Sequence, residues 1–148
     1  MNAQPLVLFL GLLLGASSVP LSAAPAQGTE SLEWRGQYHG DPETGAEVVT
    51  NVAQWSRLWR RLDQSAPVLD LTRYCAVVAF AGQRPTGGFT LEFLDSVPQG
   101  DDLLVRWRVR PPAPDAFVTQ AFAQPWKVKA FPRPRGRVRL EQASQPLR

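Results

Sequence analysis

The run Tyr74-Cys75-Ala76-Val77-Val78-Ala79-Phe80-Ala81 constrains this chain more than any other stretch. Successive side chains of a strand point to opposite faces, so an unbroken apolar run of this length predicts a central strand buried on both. Fourteen prolines in 148 residues argue against a helical bundle, because proline interrupts helices and favours edges, turns and loops. Strand patterns continue on either side. Phe89, Leu91 and Phe93 alternate with Thr90 and Glu92. Beyond the turn signal Pro98-Gln99-Gly100-Asp101, residues Leu103, Val105, Trp107 and Val109 alternate with Leu104, Arg106, Arg108 and Arg110. Pro111-Pro112-Ala113-Pro114 then stops pairing, since proline has no N–H to donate. Shorter strands are expected at Trp34–Tyr38, Glu47–Thr50, Trp126–Ala130 and Val138–Glu141, while Phe117–Ala123 reads equally as a short strand or a helical turn.

One helix interrupts this pattern. Asn51 is a good N-cap, and Val52, Trp55, Leu58, Trp59 and Leu62 then recur at helical spacing on one face. Gln54, Ser56, Arg57, Arg60, Arg61 and Asp63 take the other face, and Pro67 closes the region. The expected fold class is α+β, mainly β: an antiparallel, sandwich-like sheet domain with one packed amphipathic helix, its core spanning about residues 47–141.

The sequence has one Cys and one His, which excludes a disulfide framework and a Cys/His zinc site, so no metal or cofactor is expected. Cys75 reads as a small buried residue of the central strand rather than a reactive thiol. His39 lies in the turn Tyr38-His39-Gly40-Asp41-Pro42 with no Ser placed beside it, so a catalytic triad has no support. Enzymatic activity is not expected.

Charge is uneven. Acids outnumber cations from Gln27 to Gly100, and cations dominate from Asp101 onward, giving the whole chain a net charge of +3. Arg106, Arg108 and Arg110 share one side of a strand, as do Lys127 and Lys129. Were those strands neighbours, the cations would form one basic face able to attract an anionic surface polymer. The plainer reading is a solvated face paired to Glu92, Glu141 or Asp95, and the lack of interleaved aromatics disfavours nucleic acid. The loop Gly82-Gln83-Arg84-Pro85-Thr86-Gly87-Gly88 reads locally as a hairpin between the buried run and its alternating neighbour. It is not a phosphate loop, because no Gly-Lys-Ser/Thr follows.

Residues 1–28 carry no charged side chain. Leu6–Leu14 is a compact apolar run, and Ala24-Pro25-Ala26 offers a cleavage site of small residues. This order predicts a signal peptide over residues 1–26 and an exported β-rich domain over 27–148. An uncleaved membrane anchor is the rival reading. The expected location is extracytoplasmic, secreted or periplasmic.

Several segments together resemble a known family. Trp55-Ser56-Arg57-Leu58-Trp59, Leu69-Asp70-Leu71 and Val77–Phe89, with its Gly-x-Arg-Pro-Thr-Gly-Gly-Phe run, are similar to the C-terminal domain of PrcB-type protease-complex subunits. So are Val118–Phe122 and Gln124–Lys129. The resemblance implies an exported, non-catalytic subunit that binds and stabilises or assists a secreted protease. Arg-Pro-Thr-Gly-Gly-Phe and Gln124-Pro125-Trp126 also look like distant versions of loops of chagasin-type cysteine-protease inhibitors, which project from one end of a β-sandwich. That second likeness implies inhibition as the alternative. Both place partner contacts on Arg84, Pro85, Thr86, Gly87, Gly88, Phe117, Gln120, Pro125 and Trp126.

Overall fold

A computed structural model describes residues 32–144, so the expected signal segment lies outside the described residues. The elements run β1 (Glu33–Gly36), β2 (Thr44–Val49), α1 (Val52–Arg61), β3 (Tyr74–Ala81), β4 (Thr90–Phe93), β5 (Val97–Gln99), β6 (Asp102–Arg110), β7 (Trp126–Pro132) and β8 (Val138–Gln142). One antiparallel sheet has the order β1-β7-β3-β2. The second is built around β6, which pairs antiparallel with β4 and β5 and parallel with β8. Between β4 and β5 the register along β6 slips by one residue, from Phe93↔Trp107 to Val97↔Leu104. The extra residue makes Leu94–Ser96 a bulge within one long hairpin arm, whose turn uses Gly100 at φ +63°.

The apolar run is β3, and it is covered on both sides as its sequence predicts. Ala76, Val78 and Phe80 face α1, joining Val49, Trp55, Leu58, Trp59, Leu62, Trp126 and Val128 in one core. Cys75, Val77 and Ala79 face the second sheet, against Val105, Trp107, Val109 and Leu91. The domain is mainly β with one helix, in three layers: helix, first sheet, second sheet. The helix layer rests on tryptophan. Trp55 meets Trp34 and Trp59 edge-on at 5.5 and 5.3 Å, and Trp59 meets Trp34 and Trp126 at 5.7 Å each. Such edge-to-face pairs contribute about 0.5–1.5 kcal/mol each beyond area burial.

Both helix ends are closed by local chemistry. The Gln54 N–H donates to Asn51 Oδ1, and Gln54 Oε1 accepts from the Thr50 N–H, each at 2.9 Å. At the other end Asp63 takes φ +54°, the Gln64 N–H donates to Trp59 O, and the Asp63 N–H donates to Arg60 O. That reciprocal pair is the Schellman arrangement. Arg60 and Arg61 in the last turn complement the helix dipole.

Three local expectations are corrected. Val52, in the first turn of α1, is 69% exposed and takes no part in the buried stripe of Trp55, Leu58 and Trp59. The β6–β8 pair is parallel, since β8 returns to the second sheet after a long crossover through β7. Residues 82–89 are not a hairpin loop: β3 and β4 belong to different sheets, and the segment crosses between them.

Candidate functional site

That crossing segment is one of three loops gathered at a single end of the domain. β1 ends and β2 begins there, as do β3 and β4, and β6 and β7, so residues 37–42, 82–89 and 111–125 all emerge together. Backbone hydrogen bonds tie them to one another. The Gln124 N–H donates to Gln37 O at 2.9 Å, and the Gly40 N–H donates to Gln124 O at 3.2 Å. The Gln83 N–H reaches Pro42 O at 2.9 Å. Arg84 and Ala123 exchange both bonds, at 2.8 and 3.0 Å, and the Gly87 N–H donates to Thr119 O at 2.9 Å. Three loops that satisfy one another's backbone groups form a fixed surface rather than independent tails.

Glycine permits the closest approach. Gly88 has φ +84°, and a Cβ there would lie 2.6 Å from Val118 Cγ1 and 3.0 Å from Pro112 Cβ. The second and third loops therefore touch at a point where no other residue fits without strain.

On this frame sit three exposed aromatic side chains, Phe117 at 107% of its reference surface, Phe122 at 68% and Tyr38 at 57%. Ordered backbone carrying exposed rings is the pattern of a recognition surface, because rigid loops lose little entropy on binding. Of these rings only Phe117 stands among the contact residues read from the sequence. Phe122 and Tyr38 carry no local signal that marks them as contacts. The signal that finds them is tertiary: exposure next to a residue whose backbone is locked.

The other expected contact residues separate into surface and scaffold. Pro85, Gly88 and Gln120 are exposed, and Thr86 and Gly87 are half-buried. Trp126 is corrected to a core residue, only 2% exposed, and Pro125 is buried too. Trp126 is the first inward position of β7, packed over Gly36 and edge-on to Trp59. Its Nε1–H donates to Tyr38 O at 2.8 Å, so it fixes the first loop instead of meeting a partner. Pro125 O accepts from the Ala81 N–H at 2.9 Å. Arg84 is half-buried and turned inward: Nε donates to Ala81 O at 2.8 Å, Nη2 donates to Ala81 O and Thr44 Oγ1, and the guanidinium lies 5.2 Å from the centre of the Phe89 ring.

The cations do not make one face. Arg106, Arg108 and Arg110 project from the outer side of the second sheet, opposite Val105, Trp107 and Val109. Lys127 and Lys129 belong to the first sheet, on the side of β7 that faces between the sheets, and both bind Glu33, at 3.0 and 3.2 Å. The outer arginines are paired as well, Arg106 with Glu141 at 3.1 Å and Arg108 with Glu92 at 2.7 Å. Burial pushes the Glu33 carboxyl up, but hydrogen bonds and charge from Lys127 and Lys129 outweigh it and hold the group below the usual range. The Arg108 hydrogen bond likewise lowers Glu92. Burial raises the Cys75 thiol, which is fully enclosed between the sheets.

Comparison with known proteins adds a family likeness to this geometry. Neither a curated protein nor a solved structure matches the chain. The likeness covers β3 to β7, thus the second and third loops, and leaves β1, the first loop, β2, α1 and β8 outside it. Residues 75–132 match the PrcB C-terminal family, and this is the family that the central part of the chain resembles.

Proposed function

We propose that the protein is an exported, non-catalytic module that binds a secreted protease through its three-loop end and stabilises or modulates it. The observation that carries this reading is the set of exposed rings of Tyr38, Phe117 and Phe122 on loops locked by mutual backbone bonds. The match of residues 75–132 to the PrcB C-terminal family supports a protease-complex partner. Export rests on the charge-free, apolar first segment of the sequence.

The test is cross-linking and affinity capture from the native extracytoplasmic fraction with the natural chain and with a Tyr38→Ser, Phe117→Ser, Phe122→Ser variant. The natural chain is expected to recover a protease. Loss of aromatic anchors costs about 2 kcal/mol or more of binding, so the variant should recover at least about thirtyfold less. Equal recovery by both would refute the site, and recovery of no protease would refute the partner.

The gathering of three loops at one sandwich end favours inhibition as the second reading. Assay of papain-like proteases with the purified protein separates the two: inhibition at micromolar concentration supports it, and none removes it. Binding of an anionic surface polymer through a basic face has less support from this geometry, because the cations of β6 and β7 divide between two sheets, and Arg106, Arg108, Lys127 and Lys129 pair with acids.

A further inference from the structure

At the loop end of the domain a cleft of about 500 Å³ opens between the second loop and the ends of β2, β6 and β8. Its walls include Thr44, Arg84, Phe89, Val109, Gln142 and Ser144. The rings of Tyr38, Phe117 and Phe122 do not line it, but Arg84 and Phe89 belong to the second loop, so the cleft borders the surface proposed for the protease without using its exposed rings.

Arg84 is the unusual member. Its guanidinium is half-buried, yet no carboxylate among the described residues pairs with it. Its hydrogen bonds go to neutral acceptors, the Ala81 carbonyl and the Thr44 hydroxyl, and they use Nε and Nη2. The Phe89 ring supports it from one side. A cation fixed in direction, partly desolvated and without an anion is most complementary to an anion that enters the cleft. Nη1 takes no part in these bonds, so its N–H groups are the donors left for a carboxylate oxygen. The Gln142 amide and the Ser144 hydroxyl add donors, and Phe89 and Val109 add an apolar wall. The volume is that of a small-ligand site.

We propose that this cleft binds the C-terminal carboxylate of a peptide whose last side chain is apolar, with the carboxylate on Arg84 and the side chain against Phe89 and Val109. The inference goes beyond the protease reading and survives its failure. The test titrates the full chain with the peptide acetyl-Gly-Gly-Leu as its free acid and as its C-terminal amide, following backbone NMR shifts and calorimetry. The free acid should bind and shift the amides of residues 44, 84, 89 and 142, and the amide should bind at least about tenfold more weakly. Arg84→Gln should weaken the acid by about tenfold or more. Because Arg84 also tethers the end of β3, Gln142→Ala serves as a second variant, at an exposed position, and should weaken the acid several-fold with unchanged circular dichroism. Equal binding of acid and amide, shifts confined to other residues, or no binding at millimolar peptide would overturn the proposal. Binding of inorganic phosphate as tightly as the peptide acid would also overturn it, in favour of a general anion site.

Discussion

Gly36→Ala isolates the contact that joins the helix-side core to the first loop. Gly36 pairs with Trp126 across β1 and β7, and a Cβ built on it would lie 2.6 Å from Cε2, Cζ2 and Nε1 of the indole. Ordinary carbon contacts begin near ~3.5 Å, so the ring must retreat by most of an ångström. It has little room, being buried against Trp59 on its other side. Overpacking of this kind costs about 1–3 kcal/mol, and displacement of Nε1 weakens its bond to Tyr38 O by a further ~1 kcal/mol. The reduced freedom of the unfolded chain offsets up to about 1 kcal/mol. The net expectation is a loss of about 1–4 kcal/mol, read as a lower midpoint in urea denaturation followed by tryptophan fluorescence. Trp126→Val removes the whole indole, so the double variant should be no less stable than Trp126→Val alone. Additive losses, or a neutral Gly36→Ala, would refute the claim that the indole is held against this glycine.

Three further outcomes follow from the same geometry. Gly88→Val should cost about 2 kcal/mol or more, combining the left-handed backbone with the clash on Val118; a stability equal to the natural chain in chemical denaturation would contradict the fixed contact between the second and third loops. Glu33 has a lowered folded-state pKa, so its pairing with Lys127 and Lys129 contributes stability above the unfolded carboxylate range, and that contribution disappears as pH falls through the folded value. Glu33→Gln should therefore flatten the acid limb of stability below about pH 5, and an unchanged limb would show that the pair does nothing for folding. Cys75, enclosed and with its pKa raised, should react with a thiol reagent only at the rate at which the domain opens, and rapid labelling of the native protein would be inconsistent with its burial.

Much of the architecture is legible because it depends on short-range pattern. β3 announces itself by an apolar run, β6 by alternation, and α1 by Asn51 and the spacing of Trp55, Leu58 and Trp59. Sheet membership is not a local property. Gly87-Gly88 before an alternating strand satisfies the requirements of a hairpin, yet the true partners of this segment are Thr119 and Ala123, more than thirty residues later in the chain. For the same reason no pattern told that Lys127 and Arg108 lie in different sheets. Trp126 is a different case. Its alternation with Val128 was visible and pointed inward, but its place in a Pro-Trp loop motif pointed outward, and the pattern of the strand prevailed. Tyr38 and Phe122 carried no local signal, since exposure of a ring depends on what fails to cover it.

The central claim is that residues 37–42, 82–89 and 111–125 form one binding surface, and amide hydrogen exchange on the complex with the captured protease tests it most directly. Exchange should slow in all three segments together, while the outer side of the second sheet, carrying Arg106, Arg108 and Arg110, keeps the rate of the free protein. Protection of that outer side with the three loops unchanged would contradict the account.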